Sequence, residues 1–313
     1  MSVVYPPGHP GIPPTWASSA KNGVGTSIAR ENRIWFTISQ GIVSELYYPE
    51  LDQANIRDLQ FLVSDGRDFF SEEKLQTKHE ISSIEQGVPA YQLTNTCMDG
   101  RFRIAKTILT DPNRNVLLQK VQFEPLHGSM ADYHLYVLLS PHINNRGYEN
   151  SGWVGDYKGM KMLFAQRAST SLALACSVPF VSMSCGYAGI SDSWQDINFH
   201  KKMTSYYPEA RDGNIALTGE VDLNASKGNF ILTLAFGKNP DEAGLQAKVA
   251  LLQSFDDILN NYINEWKTFQ SRFCNLSEMG AGGFDYYRVS TAVLKTHESK
   301  SFQGAMIASV LET

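Results

Sequence analysis

Apolar and polar residues alternate along much of this 313-residue chain, and the alternation restricts its fold more than any other sequence feature. The clearest example is the run 214–223. Its even positions are mostly polar, and its odd positions are almost all apolar: Ile215, Leu217, Gly219, Val221 and Leu223. A period of two residues is typical of an antiparallel strand with one buried face and one polar face.

Eleven further runs have the composition of strands, and turn sequences such as Asp65-Gly66 and Asp99-Gly100 separate them. No helix of ordinary length is predicted before about residue 240. A dozen antiparallel strands without crossover helices predict a mainly β protein, a large β-sandwich and not an α/β fold. The predicted strands are 33–38, 42–48, 57–64, 91–97, 101–110, 115–124, 133–140, 161–167, 171–177, 180–185, 214–223 and 229–236.

The periodicity changes at Asn239-Pro240-Asp241, after which apolar residues recur every three or four positions. Asp241 is the predicted N-cap of a first helix. A second helix is predicted from the spacing of Ile258, Tyr262, Trp266 and Phe269. A glycine-rich run, 280–283, ends it, and a third helix is predicted at about 284–298. The sandwich is therefore expected to be followed by helices.

Composition excludes two classes of function. The net charge is −5 and no basic stripe is visible, so a nucleic-acid partner is not expected. The 24 residues 168–191 carry no charge, but they are rich in serine and tend to alternate, so they predict strands and not a membrane span. The N-terminal sequence lacks the basic start and apolar run of a secretory signal, which predicts a cytoplasmic location.

The cysteines and histidines show no metal-binding spacing, since the chain has no CxxC pair and no zinc-finger pattern. The four cysteines are expected to be free thiols, although Cys176 and Cys185 could also face each other across a hairpin. No cofactor is predicted. Calcium held by acidic residues and carbonyl oxygens stays open, but no EF-hand pattern supports it.

Two aromatic and acidic clusters are candidates for carbohydrate binding. Trp153 and Tyr157 lie in a glycine-bounded segment, and Trp194 and Asp196 lie in the segment Gly189–Ile197. A tryptophan ring can stack on a pyranose face while a carboxylate accepts hydrogen bonds from hydroxyl groups. Equally, a tryptophan can anchor a loop on the sandwich while neighbouring acidic residues cap turns. The sequence leaves both interpretations open.

Several segments, in order along almost the whole chain, resemble the N-terminal part of family 15 glycoside hydrolases, the prokaryotic glucoamylases and glucodextranases. They are 11–27, 33–66, 140–147, 189–197, 213–223 and 286–309. The resemblance implies a β-supersandwich, similar to that of galactose mutarotases, then a helical linker and an (α/α)6 barrel. The implied division is 1–238 for the sandwich, 239–282 for the linker and 283–313 for the start of the barrel.

The same resemblance implies a function. These enzymes are inverting hydrolases in which two carboxyl groups flank the scissile bond. Their catalytic glutamates lie in the barrel, downstream of the positions present here, so no catalytic residue is assigned to this chain. We expect the chain alone to be inactive and to support a catalytic barrel that acts on α-glucans or oligosaccharides. The cluster residues Trp153, Tyr157, Trp194 and Asp196 could instead face that barrel, and the exposed helix 284–298 could form a homodimer.

Two alternatives remain. The chain could be a free-standing carbohydrate-binding module that uses Trp153 or Trp194. It could also be an enzyme similar to the aldose mutarotases, which use a histidine and a glutamate on a similar sandwich; His142 would then be the candidate acid or base.

Overall fold

The computed structural model describes residues 4–274, Leu276 and 285–309. In this part of the chain two antiparallel sheets pack face to face. The first sheet contains β1 (Gly23–Gly25), β2 (Trp35–Ser39), β3 (Ile42–Tyr47), β4 (Ala54–Ser64), β5 (Phe70–Glu72), β10 (His134–Pro141), β14 (Phe180–Tyr187) and β16 (Ile215–Val221). The second contains β6 (Thr77–Glu85), β7 (Val88–Cys97), β8 (Phe102–Thr110), β9 (Val116–Pro125), β11 (Asn150–Tyr157), β12 (Met160–Arg167), β13 (Thr170–Cys176), β15 (Glu209–Gly213) and β17 (Asn229–Gly237).

The strand order shows why the chain needs no crossover helices. The first sheet runs β1-β2-β3-β4-β10-β16-β14, with β5 beside β4, and the second runs β15-β11-β12-β13-β17-β9-β8-β7-β6. Every neighbouring pair is antiparallel, so hairpins and passages between sheets suffice. All twelve predicted strands are present, and the prediction of a large sandwich is confirmed.

Five strands were not predicted: β1, β5, β6, β11 and β15. Two of them are only three residues long, and β6 is an exposed edge strand whose sequence has no apolar face. Strand β11 contains two glycines, which weaken a strand pattern. Sequence periodicity detects strands that face a core on one side, and these strands lack that signature.

The odd positions of 214–223 do face the core between the sheets, together with the alternate residues Leu135, Val137 and Leu139 of β10. The even positions do not form the solvent-exposed face that their polar residues would suggest. Thr218 is fully buried, because helix α2 (Ser193–His200) covers the outer face of the first sheet. This helix was not predicted, because its eight residues carry almost no amphipathic pattern. The remaining short helices are α1 (Glu73–Gln76), α3 (Leu223–Ser226) and a 3-10 turn, Met130–Asp132.

Three longer helices follow the sandwich as predicted: α4 (Pro240–Leu251), α5 (Phe255–Gln270) and α6 (Tyr286–Thr296). The predicted N-cap of α4 was wrong. Asn239 accepts the capping bond from the Glu242 amide, and Pro240 occupies the first helical position, where its missing N–H costs nothing. Helices α4 and α5 cover the outer face of the second sheet with one apolar cluster. The glycine-rich run 280–283 lies outside the described residues.

A fully buried ion pair joins the two sheets. Lys106 occupies a core-facing position of β8, and its ammonium lies 2.7 Å from the Glu73 carboxylate, with both side chains 0% exposed. Glu73 also accepts hydrogen bonds from the Asn95 amide at 2.6 Å and from the Phe61 backbone N–H at 2.9 Å. Phe61 lies on β4 between Leu59, where the pairing of β4 with β3 ends, and Leu62, where its pairing with β5 begins. The Glu73 carboxylate thus accepts the Phe61 N–H bond that a neighbouring strand would otherwise accept.

We predict that Glu73→Gln destabilises the fold by about 3–5 kcal/mol, because it leaves the Lys106 ammonium buried without a countercharge. Burial already lowers the pKa of Lys106, and the Glu73 carboxylate opposes that shift. The matched control is Glu124→Gln, since the Arg103–Glu124 pair is about half exposed and such pairs contribute about 1 kcal/mol or less. Urea denaturation measures both. Equal losses for the two variants would refute the assigned role.

Candidate functional site

The first predicted cluster lies on the outer face of the second sheet. Trp153 on β11 stacks on Phe164 of β12, with ring centroids 5.6 Å apart and an angle of 12° between the planes. Tyr157 is only 9% exposed and packs against α4, where Gly244 leaves room for its ring. Both side chains therefore belong to the apolar cluster between the second sheet and the helices that cover it.

The second cluster lies on the outer face of the first sheet. The Trp194 indole N–H donates to Glu72 at 3.0 Å, and its ring meets Phe70 edge-on. The Asp196 carboxylate accepts hydrogen bonds from the backbone N–H groups of Thr204 and Ser205 and from the Thr204 hydroxyl, and it lies 2.8 Å from the His200 ring. Its oxygens are thus occupied in holding a turn together.

The two clusters do not form one site. The inner faces of the sheets meet at the common core, so the two outer faces that carry Trp153 and Trp194 point in opposite directions. No single sugar ring can contact both clusters. Each tryptophan would have to bind a sugar without the other. The side chains beside it already contact other protein groups.

A groove of about 860 Å³, which was not predicted from the sequence, lies elsewhere, between α5 and α6. Its apolar lining includes Phe269 and Phe273 from the α5 side and Leu294 and Met306 from the α6 side. Glu265 lies at its inner wall and accepts a hydrogen bond from Ser27 at 3.1 Å. Burial raises the pKa of Glu265, and the Ser27 contact opposes the rise.

The signal that could have revealed this groove is the apolar pattern of the third helix. Apolar residues of that helix, such as Tyr287 and Val293, must either pack on another element or stay exposed. Helix α6 does pack back, since Ala292 is 4% exposed and Thr296 is fully buried. Its other face stays open, with Val293 at 42% and Leu294 at 58% exposed.

His142 is buried where the N-terminal segment crosses the first sheet. It is 1% exposed, the Trp16 ring meets it edge-on with centroids 4.7 Å apart, and its Nδ1 has no hydrogen-bond partner among the described residues. Burial lowers the pKa of His142 to about 4, with a contribution from the charge of Arg57. The groups that affect its protonation, Arg57 and Asn214, include no carboxylate. This geometry does not favour a mutarotase-type acid–base pair.

We predict that the stability of the protein decreases as the pH falls from about 6.5 towards 4, in part because of His142. The folded-state pKa lies below the unfolded value, so the unfolded chain binds more protons in this window. The loss attributable to His142 is up to about 3 kcal/mol. His142→Gln removes that part of the dependence in urea denaturation at several pH values. The exposed His127→Gln is the control, and identical pH profiles for the two variants would contradict the assignment.

Among the described residues, the remaining chemistry-bearing side chains form no metal site. The described residues include no group of three or more His, Cys, Asp or Glu side chains placed to hold a metal ion, so the calcium possibility has no ligand cluster there. All four cysteines are free; Cys97, Cys176 and Cys185 are buried, and Cys274 is exposed. Within the described ranges, no helix combines the length and the apolar character needed to cross a bilayer.

Comparison with known proteins agrees with this architecture. Residues 6–271 match the family model described as glucodextranase, domain N. The chain is 37% identical over 302 residues to a glucoamylase of Clostridium sp. (strain G0005), a match that covers 96% of this chain and 42% of that protein. A crystal structure of a bacterial glucoamylase complexed with acarbose superposes with a TM-score of 0.95 at 35% identity, over 99% of this chain and 45% of that one.

A more distant match, a glycosyl hydrolase of family GH92, shares the fold alone, with a TM-score of 0.52 and 11% identity over 90% of this chain and 39% of that one. The fold therefore defines a two-sheet supersandwich of the kind found in glycoside hydrolases. The chain belongs to the glucodextranase N-terminal domain family and is a homologue of bacterial glucoamylase, which confirms the resemblance found in the sequence. It spans less than half the length of the glucoamylases that it matches.

Proposed function

We propose that this chain serves as the non-catalytic N-terminal domain of a glucoamylase-type hydrolase and that it packs on and stabilises a catalytic domain. The observation that carries the proposal is the match of 96% of this chain to only 42% of a glucoamylase. The accompanying enzyme would release glucose from the non-reducing ends of α-glucans by inversion, the reaction implied by the family resemblance. The division 1–238, 239–282 and 283–313, with α6 as the first helix of the catalytic barrel, is part of the proposal.

We predict that the purified chain releases no glucose from soluble starch or dextran, because the family resemblance places the two catalytic glutamates beyond the part of the enzyme that this chain matches. A chimera in which this chain replaces the matched part of the Clostridium glucoamylase should release glucose. Glucose oxidase detection measures both. Glucose release by this chain alone would refute the non-catalytic role.

The chimera also tests the stabilising role. Its thermal unfolding midpoint should exceed that of the Clostridium glucoamylase from which the matched part has been deleted, since a packed domain buries surface that deletion exposes. The control is the unmodified Clostridium enzyme. A deleted enzyme that is as stable and as active as the chimera would contradict the proposal.

A free-standing carbohydrate-binding module is the second candidate, and the partly exposed indoles of Trp153 and Trp194 are the observation that favours it. Under this alternative, maltooligosaccharide or isomaltooligosaccharide titration by calorimetry should show saturable binding that Trp153→Ala or Trp194→Ala removes. Phe199→Ala is the matched control, because Phe199 is an exposed aromatic residue of the same helix as Trp194. Under our main proposal no heat of binding is expected from any of these proteins.

Two further points belong to the proposal. A cytoplasmic location is supported by the free state of all four cysteines, which suits a reducing compartment.

The exposed face of α6 could also pair with a second copy when the catalytic domain is absent. Sedimentation at increasing protein concentration detects such a homodimer.

A further inference from the structure

Strand β6 is the longest exposed edge of either sheet in the described part of the chain. It has nine residues, and the six side chains of 78–83 are all exposed. The other edges offer less. Strands β1 and β15 have only three and five residues, and β14 already donates its Cys185 N–H to the backbone of Tyr207, just before β15. An edge strand with free backbone groups can pair with a further strand.

The hydrogen-bond pattern shows which backbone groups of β6 are free. The Met98 N–H donates to the Gln76 oxygen at 3.0 Å, which makes these two residues a hydrogen-bonded pair beside the β6–β7 ladder. Such pairs alternate along an antiparallel ladder, so the even residues 78, 80 and 82 bond to β7. The N–H and C=O groups of His79, Ile81 and Ser83 therefore point away from β7, and no other described residue bonds to them.

These three residues match a second copy of themselves. When two β6 strands run antiparallel with Ile81 opposite its own counterpart, His79 lies opposite Ser83 of the second copy, and Ser83 lies opposite His79. Every free group then has a partner, because three N–H groups on each strand give six hydrogen bonds. Ile81, which is 37% exposed in one copy, is covered by the Ile81 side chain of the other.

The side chains favour the same register. Glu80 lies opposite Ser82 and Lys78 opposite Ile84 of the second copy, so no like charges face each other. A shift by two residues in one direction would place Glu80 opposite its own counterpart and would need the backbone of Thr77, which is 2% exposed. A shift in the other direction runs into the bulge between residues 83 and 85.

We propose that β6 is the interface of a homodimer, in which the nine-stranded sheets of two copies join across a two-fold axis at Ile81. The partner is a second copy because this register pairs all the free backbone groups of residues 79–83 and opposes no like charges. A two-fold contact of this kind closes at the dimer. It does not involve the exposed face of α6, and it does not depend on the proposed function.

Sedimentation of the full 313-residue chain at increasing concentration tests the proposal. The average mass should rise about twofold, towards that of a dimer. Ile81→Lys and Ile81→Glu should each raise the dissociation constant at least about tenfold, because like charges then meet at the axis. A wild-type chain that stays monomeric up to about 1 mM would overturn the inference.

The decisive measurement mixes the two variants. Equal amounts of the Ile81→Lys and Ile81→Glu chains should form a dimer at concentrations where each alone is monomeric, because a lysine then faces a glutamate across the axis. A merely misfolded variant would not recover in this way. A mixture that stays monomeric would overturn the inference, whatever the behaviour of the single variants.

Two controls separate this surface from others. Val181→Lys alters an exposed apolar residue of β14, the edge strand of the first sheet, and Leu294→Lys alters the exposed face of α6. Both should dimerise as the wild type does. Loss of the dimer in Leu294→Lys together with its retention in Ile81→Lys would refute the β6 interface and support pairing through α6 instead.

Discussion

The placement of α5, and of α6 after it, depends on how α5 is anchored to the sandwich. The Tyr262 hydroxyl lies 2.7 Å from the backbone oxygen of Thr26 and 2.9 Å from that of Pro89, and the Trp266 indole N–H donates to Thr26 at 3.1 Å. All of these groups are buried, so displacement of the helix would leave polar atoms without partners at a cost of about 1–3 kcal/mol each. Apolar contacts alone would allow the helix to slide along the sheet. These polar contacts fix one position, and α6 is in turn held by Gln270 at the end of the same helix.

The buried Lys106–Glu73 pair performs the corresponding task between the two sheets. Apolar cores accept many similar packings, whereas an ammonium and a carboxylate removed from water are stable only when they meet. Because Glu73 also binds the backbone of β4 and the side chain of Asn95 on β7, one register of the sheets satisfies all of its contacts. A few polar contacts within a large apolar interface thus specify both the sandwich and the attachment of α5.

Much of this fold follows from residue periodicity, and the exceptions have physical reasons. Strands that face the core and the amphipathic helix α5 were predictable because burial imposes a period on them. The edge strand β6 faces water on most of its length and carries no such period. Lys106 did give a signal, since it breaks an apolar series formed by Phe102, Ile104 and Ile108 on β8, but its partner lies on α1 and could not be located from sequence. Trp153 and Trp194 looked equivalent in sequence, and only the topology shows that they lie on opposite faces.

The groove could not be predicted because it is formed by segments that are distant in sequence. Ile28, Pro112 and Phe269 contribute to it from three parts of the chain, and each has an ordinary local pattern. What distinguishes the groove is a mismatch between packing and exposure. Helix α6 is held firmly on one side, yet it presents Leu294 to water on the other. An isolated domain gains nothing from that arrangement, since exposing apolar surface costs free energy. That cost disappears when another protein surface covers Leu294.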